Sequence, residues 1–226
     1  MEDGHHGHGH GHDHEHGDGQ APDLHDPRSF DERASTWDDD PKKVERARLI
    51  AAAIREALPV TGEMRLLEYG AGTGLLAQFL APHVGSLTLA DPSEGMRAVM
   101  RDKAERGDLP GAEVVDIDLA DTAHFDLVVS LMALHHVPEP DAALVRLGAA
   151  TESGGWIALV DLEAEDGSFH GEGFGGHHGF DQEQLRGWLY AAGYGPVSFS
   201  RVHTMSKGGR EYPLFLAVSR RQGVAD

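Results

Sequence analysis

Cysteine is absent from the 226 residues, which excludes disulfides, thiolate metal sites and a cysteine nucleophile. Basic residues are scarce. The 19 Lys and Arg stand against 38 Asp and Glu, for a formal charge of −19. Without a run of Lys or Arg the chain lacks what a nucleic-acid backbone demands, because binding phosphates means neutralising them. No apolar run approaches the roughly 20 residues that span a bilayer, and the N-terminus has neither the basic nor the apolar region of a signal peptide. These absences predict a cytoplasmic protein that acts on a small molecule and binds neither membrane nor nucleic acid. What is present is 40% hydrophobic residues, in a length that suits one α/β domain with a full core and leaves little room for a second.

Residues 66–76 read LLEYGAGTGLL. An apolar run reaches Glu68, turns through Gly70, Gly72 and Gly74, and enters an amphipathic segment, which predicts a strand, a tight turn and a helix. Glycines in such a turn accept positive φ and let a ligand approach the backbone, while the helix start offers N–H groups. A nucleotide-like cofactor suits this turn. The dinucleotide fingerprint GxGxxG requires glycine at position 75, which is Leu75. Glu68 is also poorly placed beside a pyrophosphate, although it suits a cationic cofactor. The spacing ExGxGxG resembles the first motif of the class I S-adenosylmethionine (SAM)-dependent methyltransferases. That resemblance implies that Glu68, Gly70, Gly72 and Gly74 line the methionine end of SAM.

Further segments carry the same resemblance. Residues 86–90 read as a buried strand closed by Asp91, whose carboxylate can accept from both ribose hydroxyls or, with Ser93, cap the next helix. The run DPSEGM resembles the family's D.S..M segment, which implies that Met96 packs near the adenine or ribose. Within VVDIDLAD, Asp118 and Leu119 resemble the third motif, where an acid and the next backbone N–H meet the adenine; Asp116 and Asp121 are nearby competitors. FDLVVSLMALHHV resembles the family's fourth strand, and Ser130 at its end joins the cofactor contacts. Upstream, Phe30, Ala34 and Trp37 share one helical face. Their segment resembles FD..A..W/YD, with which many of these enzymes close over the cofactor, implying a contact for Trp37. The alternative is a short helix docking two aromatics on the core. With EGMRAVM and SGGWIALVD, the resemblance extends over roughly residues 30–162.

The alternation of strands and helices predicts a Rossmann-like, doubly wound α/β fold. Strands are expected near 65–69, 86–90, 112–117, 125–130 and 155–161. A helix is expected over 73–82. Two last strands, near 196–203 and 212–219, complete a mostly parallel seven-stranded sheet as the family's C-terminal antiparallel hairpin, with a solvated basic turn at 205–210. Ligands of such sheets bind beyond the carboxyl ends of the strands. The domain spans residues 27–226. Residues 1–26 form a separate low-complexity tail in which eight histidines alternate with Gly, Asp and Glu. That tail lacks an apolar face, so it is expected to be disordered, and its imidazoles can chelate divalent metal weakly.

His135 and His136 follow the fourth strand on the side of a methyl acceptor. An imidazole there can take the acceptor's proton near neutral pH, or can be packed for structure, as in many relatives. The segment 167–179 carries six glycines with His170, His177 and His178 among aromatics. It reads as a lid over the acceptor. These three histidines also admit a zinc site, but with no cysteine and no evident fourth ligand none is assigned to metal. The expected function is methyl transfer from SAM to a small-molecule acceptor through O, N or C. The alternative is a metal-handling protein that keeps the fold and uses the His-rich tail.

Overall fold

The computed structural model describes residues 27–119 and 124–223; the His-rich tail, Asp121 and the last three residues lie outside the described residues. The strands are β1 (Arg65–Tyr69), β2 (Ser86–Ala90), β3 (Glu113–Val115), β4 (Phe125–Leu131), β5 (Thr151–Leu162), β6 (Ser198–Lys207) and β7 (Arg210–Arg220). They form one sheet in the order β3-β2-β1-β4-β5-β7-β6. The first five are parallel, and β7 runs antiparallel between β5 and β6. This is the Rossmann-like sheet with a C-terminal antiparallel hairpin that the sequence predicts. Strand order reverses between β1 and β4, so a crevice opens at their carboxyl ends.

Strands covered on both faces read as unbroken apolar runs: Leu66, Leu67, Leu127, Val128 and Val129 are all 0% exposed. One face is covered by α2 (Pro41–Ala57), α3 (Leu75–Leu80) and α4 (Glu94–Arg106), which contribute Ile50, Ile54, Leu76, Leu80 and Met100. The other is covered by α5 (Pro140–Ala150) and α6 (Gln182–Ala191) through Leu144, Leu147, Leu185 and Leu189. Side-chain caps set the helix starts. Asp40 accepts from the Lys42 N–H ahead of Pro41, Ser93 from that of Met96, and Asp181 from those of Glu183 and Gln184.

The fit of α5 is tight where it meets the chain after α6. A Cβ built on Gly148 lies 2.2 Å from the carbonyl oxygen of Ala192, and a backbone atom has little room to retreat. Gly148→Ala should therefore destabilise the fold by about 1–3 kcal/mol through overpacking, although alanine is the better helix former by about 1 kcal/mol. A lower midpoint in urea checks this, and an unchanged or raised midpoint contradicts it.

Two elements differ from the sequence expectation. Helix α3 is shorter than 73–82, because Gly74 at φ +74° holds the chain outside helical space before it and Pro82 tightens its end into a 3-10 turn. In the hairpin, β6 and β7 run on to Gly208 and Gly209, whose φ of +59° and +76° suit a two-residue turn between twisted strands. The turn's cations are exposed, as expected, and each also has a partner. Lys207 donates to the carbonyl of Phe169, and Arg210 pairs with Asp166 at 2.7 Å.

Candidate active site

The glycine turn leaves β1 with Gly70, Gly72 and Gly74 at φ +71°, +57° and +74°. The N–H groups of Gly70 and Ala71 donate to the carbonyl of Ala90, which ties the turn to the end of β2. A Cβ on Gly72 meets nothing within 4 Å, so the backbone there faces open space. Asp91 sits alongside, its two carboxylate oxygens accepting from the N–H of Gly72 at 2.7 Å and of Ser93 at 2.9 Å. Burial pushes its pKa up to about 6, against the pull of those two N–H groups. Glu68 is 2% exposed, and its carboxylate accepts from the Ala77 N–H of α3 at 2.9 Å. Burial, with a smaller contribution from Asp91, pushes Glu68 up to about 8. Glu68 thus supports the first turn of α3 from beneath.

A strap formed by α1 (Pro27–Ala34) and the 3-10 turn Trp37–Asp39 lies across this region. Asp31 accepts from the Ser93 hydroxyl at 2.5 Å and from the Gly95 N–H at 2.7 Å. Asp38 accepts from the Thr73 hydroxyl at 2.5 Å and pairs with Lys103 at 2.5 Å. Lys103, 4% exposed, also donates to the Thr73 carbonyl. The strap is therefore pinned to the glycine turn at one end and to the start of α4 at the other. Trp37 carries the Lys43 ammonium 3.6 Å from its ring centre, a cation–π contact. The sequence reading singled out the aromatics of this segment and missed Asp31, Asp38, Thr73 and Lys103. The two aspartates of FDERASTWD were the available signal.

The remaining cofactor candidates are spread along the same edge of the sheet. Met96 is 1% exposed in the first turn of α4, and the Ser130 hydroxyl is buried with no hydrogen-bond partner among the described residues. Asp118 is exposed after β3, and its N–H donates to Asp116. Asp116 itself pairs with Arg97 at 2.7 Å. Leu119 ends that turn; its side chain, like residues 120–123, lies outside the described residues.

Beyond β4 the chain turns through Met132 at φ +54°, a conformation that strains a non-glycine residue. The turn brings Ala133 against the glycine loop, where a Cβ on Gly70 lies 2.3 Å from that of Ala133. It also carries His135 under the end of β5. There Asp161 accepts from the His135 Nδ1–H at 2.6 Å and from its backbone N–H at 3.2 Å. His135 and Asp161 are each 1% exposed, and the His135 Nε2 has no hydrogen-bond partner among the described residues. With Nδ1 donating to a carboxylate, the neutral ring carries its lone pair on Nε2.

The glycine-rich segment supplies the other wall. It leaves the sheet at Glu163 and returns at Phe180, where the two residues form a β-bridge. Phe169 is buried against Tyr212, and the ring of Phe174 stacks on His170 at 3.7 Å. Phe169 is thus part of the core and not of a lid surface. His170 lies 5.1 Å from His135 and 5.3 Å from His136, centre to centre. Burial, helped by His135 and Lys207, pulls the His170 pKa down to about 3. The structure thus groups His170 with His135 and His136 rather than with His177 and His178. His177 is held through its backbone N–H to the His135 carbonyl, and His178 lies 3.4 Å from Glu165. Asp161 is a further candidate residue that the sequence does not single out, and His170 joins this cluster rather than a set with His177 and His178.

Known proteins share both sequence and fold with this chain. An uncharacterized methyltransferase of Mycobacterium tuberculosis is 33% identical over 112 residues, 48% of this chain and 55% of that protein. A ubiquinone biosynthesis O-methyltransferase of Coxiella burnetii is 28% identical over 133 residues, 56% of each. The chain thus spans about half the length of these curated relatives. The solved phosphoethanolamine N-methyltransferase 2 of Haemonchus contortus, in complex with SAM, superposes with a TM-score of 0.62 at 15% identity, over 77% of this chain and 52% of that one. Residues 42–206 match the family model of the methyltransferase domain, and the chain belongs to that family.

Proposed function

We propose that the chain transfers the methyl group of SAM to a small-molecule acceptor lying between the glycine turn and the histidine cluster. The observation that supports this reading is the close approach of Gly70 to Ala133, two residues before His135 in the chain, beside a turn that is open at Gly72. When bound, SAM supplies a methyl group made electrophilic by its sulfonium. The residues proposed to hold it are Gly70, Gly72 and Gly74 with Asp91 at the ribose and Ser130, Met96, Trp37, Asp118 and Leu119 around the remainder. Glu68 is their support. His135 and His136 are the residues proposed on the acceptor side, with Asp161 holding the His135 ring so that its lone pair sits on Nε2. The protein's main contribution is placement, since orienting two reactants can supply roughly 7–11 kcal/mol. The name of the Coxiella relative makes hydroxyl compounds the first acceptors to screen, by formation of S-adenosylhomocysteine.

Cofactor binding is testable without an acceptor. Asp91→Ala should weaken SAM and S-adenosylhomocysteine by roughly ten- to a hundredfold, the equivalent of losing a charged hydrogen-bond partner worth about 1.5–3 kcal/mol. Unchanged affinity in titration calorimetry would reduce Asp91 to a brace for the glycine turn.

A further inference from the structure

The structure assigns a divalent transition-metal site to His135, His136 and His170. Each offers a ring nitrogen, and these atoms all lie within 4.8 Å of one another. The Nε2 atoms of His135 and His170 are buried without a hydrogen-bond partner among the described residues. Such orphaned groups call for an explanation. One ion satisfies both nitrogens at once.

The surroundings match a built site. His135 donates its other nitrogen to Asp161 at 2.6 Å, the carboxylate–histidine arrangement that fixes tautomer and raises ligand basicity in metal centres. Imidazole donors with no thiolate suit zinc and its neighbours. An ion at about 2.0–2.1 Å from each nitrogen sets nitrogen separations of roughly 3.4 Å, inside the 4.8 Å within which these atoms already lie. His136 and His170 are only partly buried, so the adjustment falls on them rather than on His135. His170 comes from the glycine-rich segment, whereas the other two follow β4, so the ion joins two elements that no strand pairing connects. Three protein ligands leave a fourth position, as in metal sites that act on a substrate. An ion there would orient the proposed acceptor through a metal-binding oxygen, in place of a general base. This last role rests on the proposed methyl transfer, whereas metal binding does not.

The test uses the full chain, SAM-free and acceptor-free, with Zn2+ and Co2+ as probes. Residues 1–26 contain eight further histidines, so the quantity read is the difference between wild type and His170→Gln. Wild type should hold one more tight equivalent of Zn2+ than the variant, and the Co2+ form should show visible bands that the variant loses. His136→Gln should behave as His170→Gln does. Asp161→Asn should weaken that one equivalent ten- to a hundredfold while leaving the others unchanged. Equal stoichiometry, affinity and Co2+ spectra in wild type and in both glutamine variants would overturn the assignment and leave all bound metal to the tail. Because no methyl transfer is measured, a failure of the proposed function leaves this readout intact.

Discussion

Glu68→Gln is expected to flatten the pH dependence of stability and to leave the ligand-free chain more stable than wild type at pH 8. In the folded chain Glu68 titrates at about 8, against 4.5 for an ordinary glutamate, because burial opposes its charge. Below pH 4.5 the group is neutral in both states and its contribution to stability is fully present. Between 4.5 and 8 the unfolded chain releases the proton while the folded chain keeps it, so stability falls as pH rises and levels off above 8. At about 1.4 kcal/mol per pH unit, the window corresponds to several kcal/mol. Gln retains an acceptor for the Ala77 N–H and carries no charge to bury. Urea unfolding of both chains at pH 5 and pH 8 checks this. Asp91, also raised, contributes in the same direction to both chains and cancels in the comparison. If the two chains lose stability in parallel between these pH values, Glu68 is not the group responsible.

Gly70→Ala should abolish SAM binding at any accessible concentration and destabilise the fold by about 2–5 kcal/mol. An L-residue at the φ of +71° found here costs about 1–2 kcal/mol. The new Cβ, 2.3 Å from that of Ala133, adds an overpacking cost of about 1–3 kcal/mol. The two contributions separate in a double variant. Ala133→Gly in the Gly70→Ala background removes the collision and leaves the dihedral strain, so roughly half the stability should return. No recovery at all would mean that the methyl group of Ala133 is not what confines the turn.

Much of the fold was legible because it is local. The apolar runs of β1, β2 and β4, the caps Asp40, Ser93 and Asp181, and the glycine turn each announce themselves within a few residues. The expected turn at 205–210 is longer than the one found, because two positive-φ glycines allow both strands to continue to the tip. At the site, sequence position indicated which strand ends converge, but not the partners that side chains choose across long separations. Asp38 meets Lys103 and Thr73, and His135 meets Asp161 and His170. Those contacts depend on where the strap docks, which the helical spacing of Phe30, Ala34 and Trp37 does not specify, and on the path of a glycine-rich segment that has no periodicity to read. Glu68 shows the same limit: its position beside the glycines was plain, whereas its bond to Ala77 depends on where α3 begins.

The bridge between Glu163 and Phe180 has a consequence for how such a protein can diversify. The segment departs from and returns to one point of the sheet, and the Phe180 N–H donates to the Leu162 carbonyl at 2.9 Å. Its length is therefore almost decoupled from the framework, since doubling a closed loop costs only about 0.6 kcal/mol. Insertions in the exposed stretch 171–173 can remodel the wall beside the histidines while Phe169 keeps its core contact with Tyr212 and β5 and α6 keep their places. That stretch is thus where natural variation or a grafting experiment can alter the histidine-lined wall without redesigning the glycine turn.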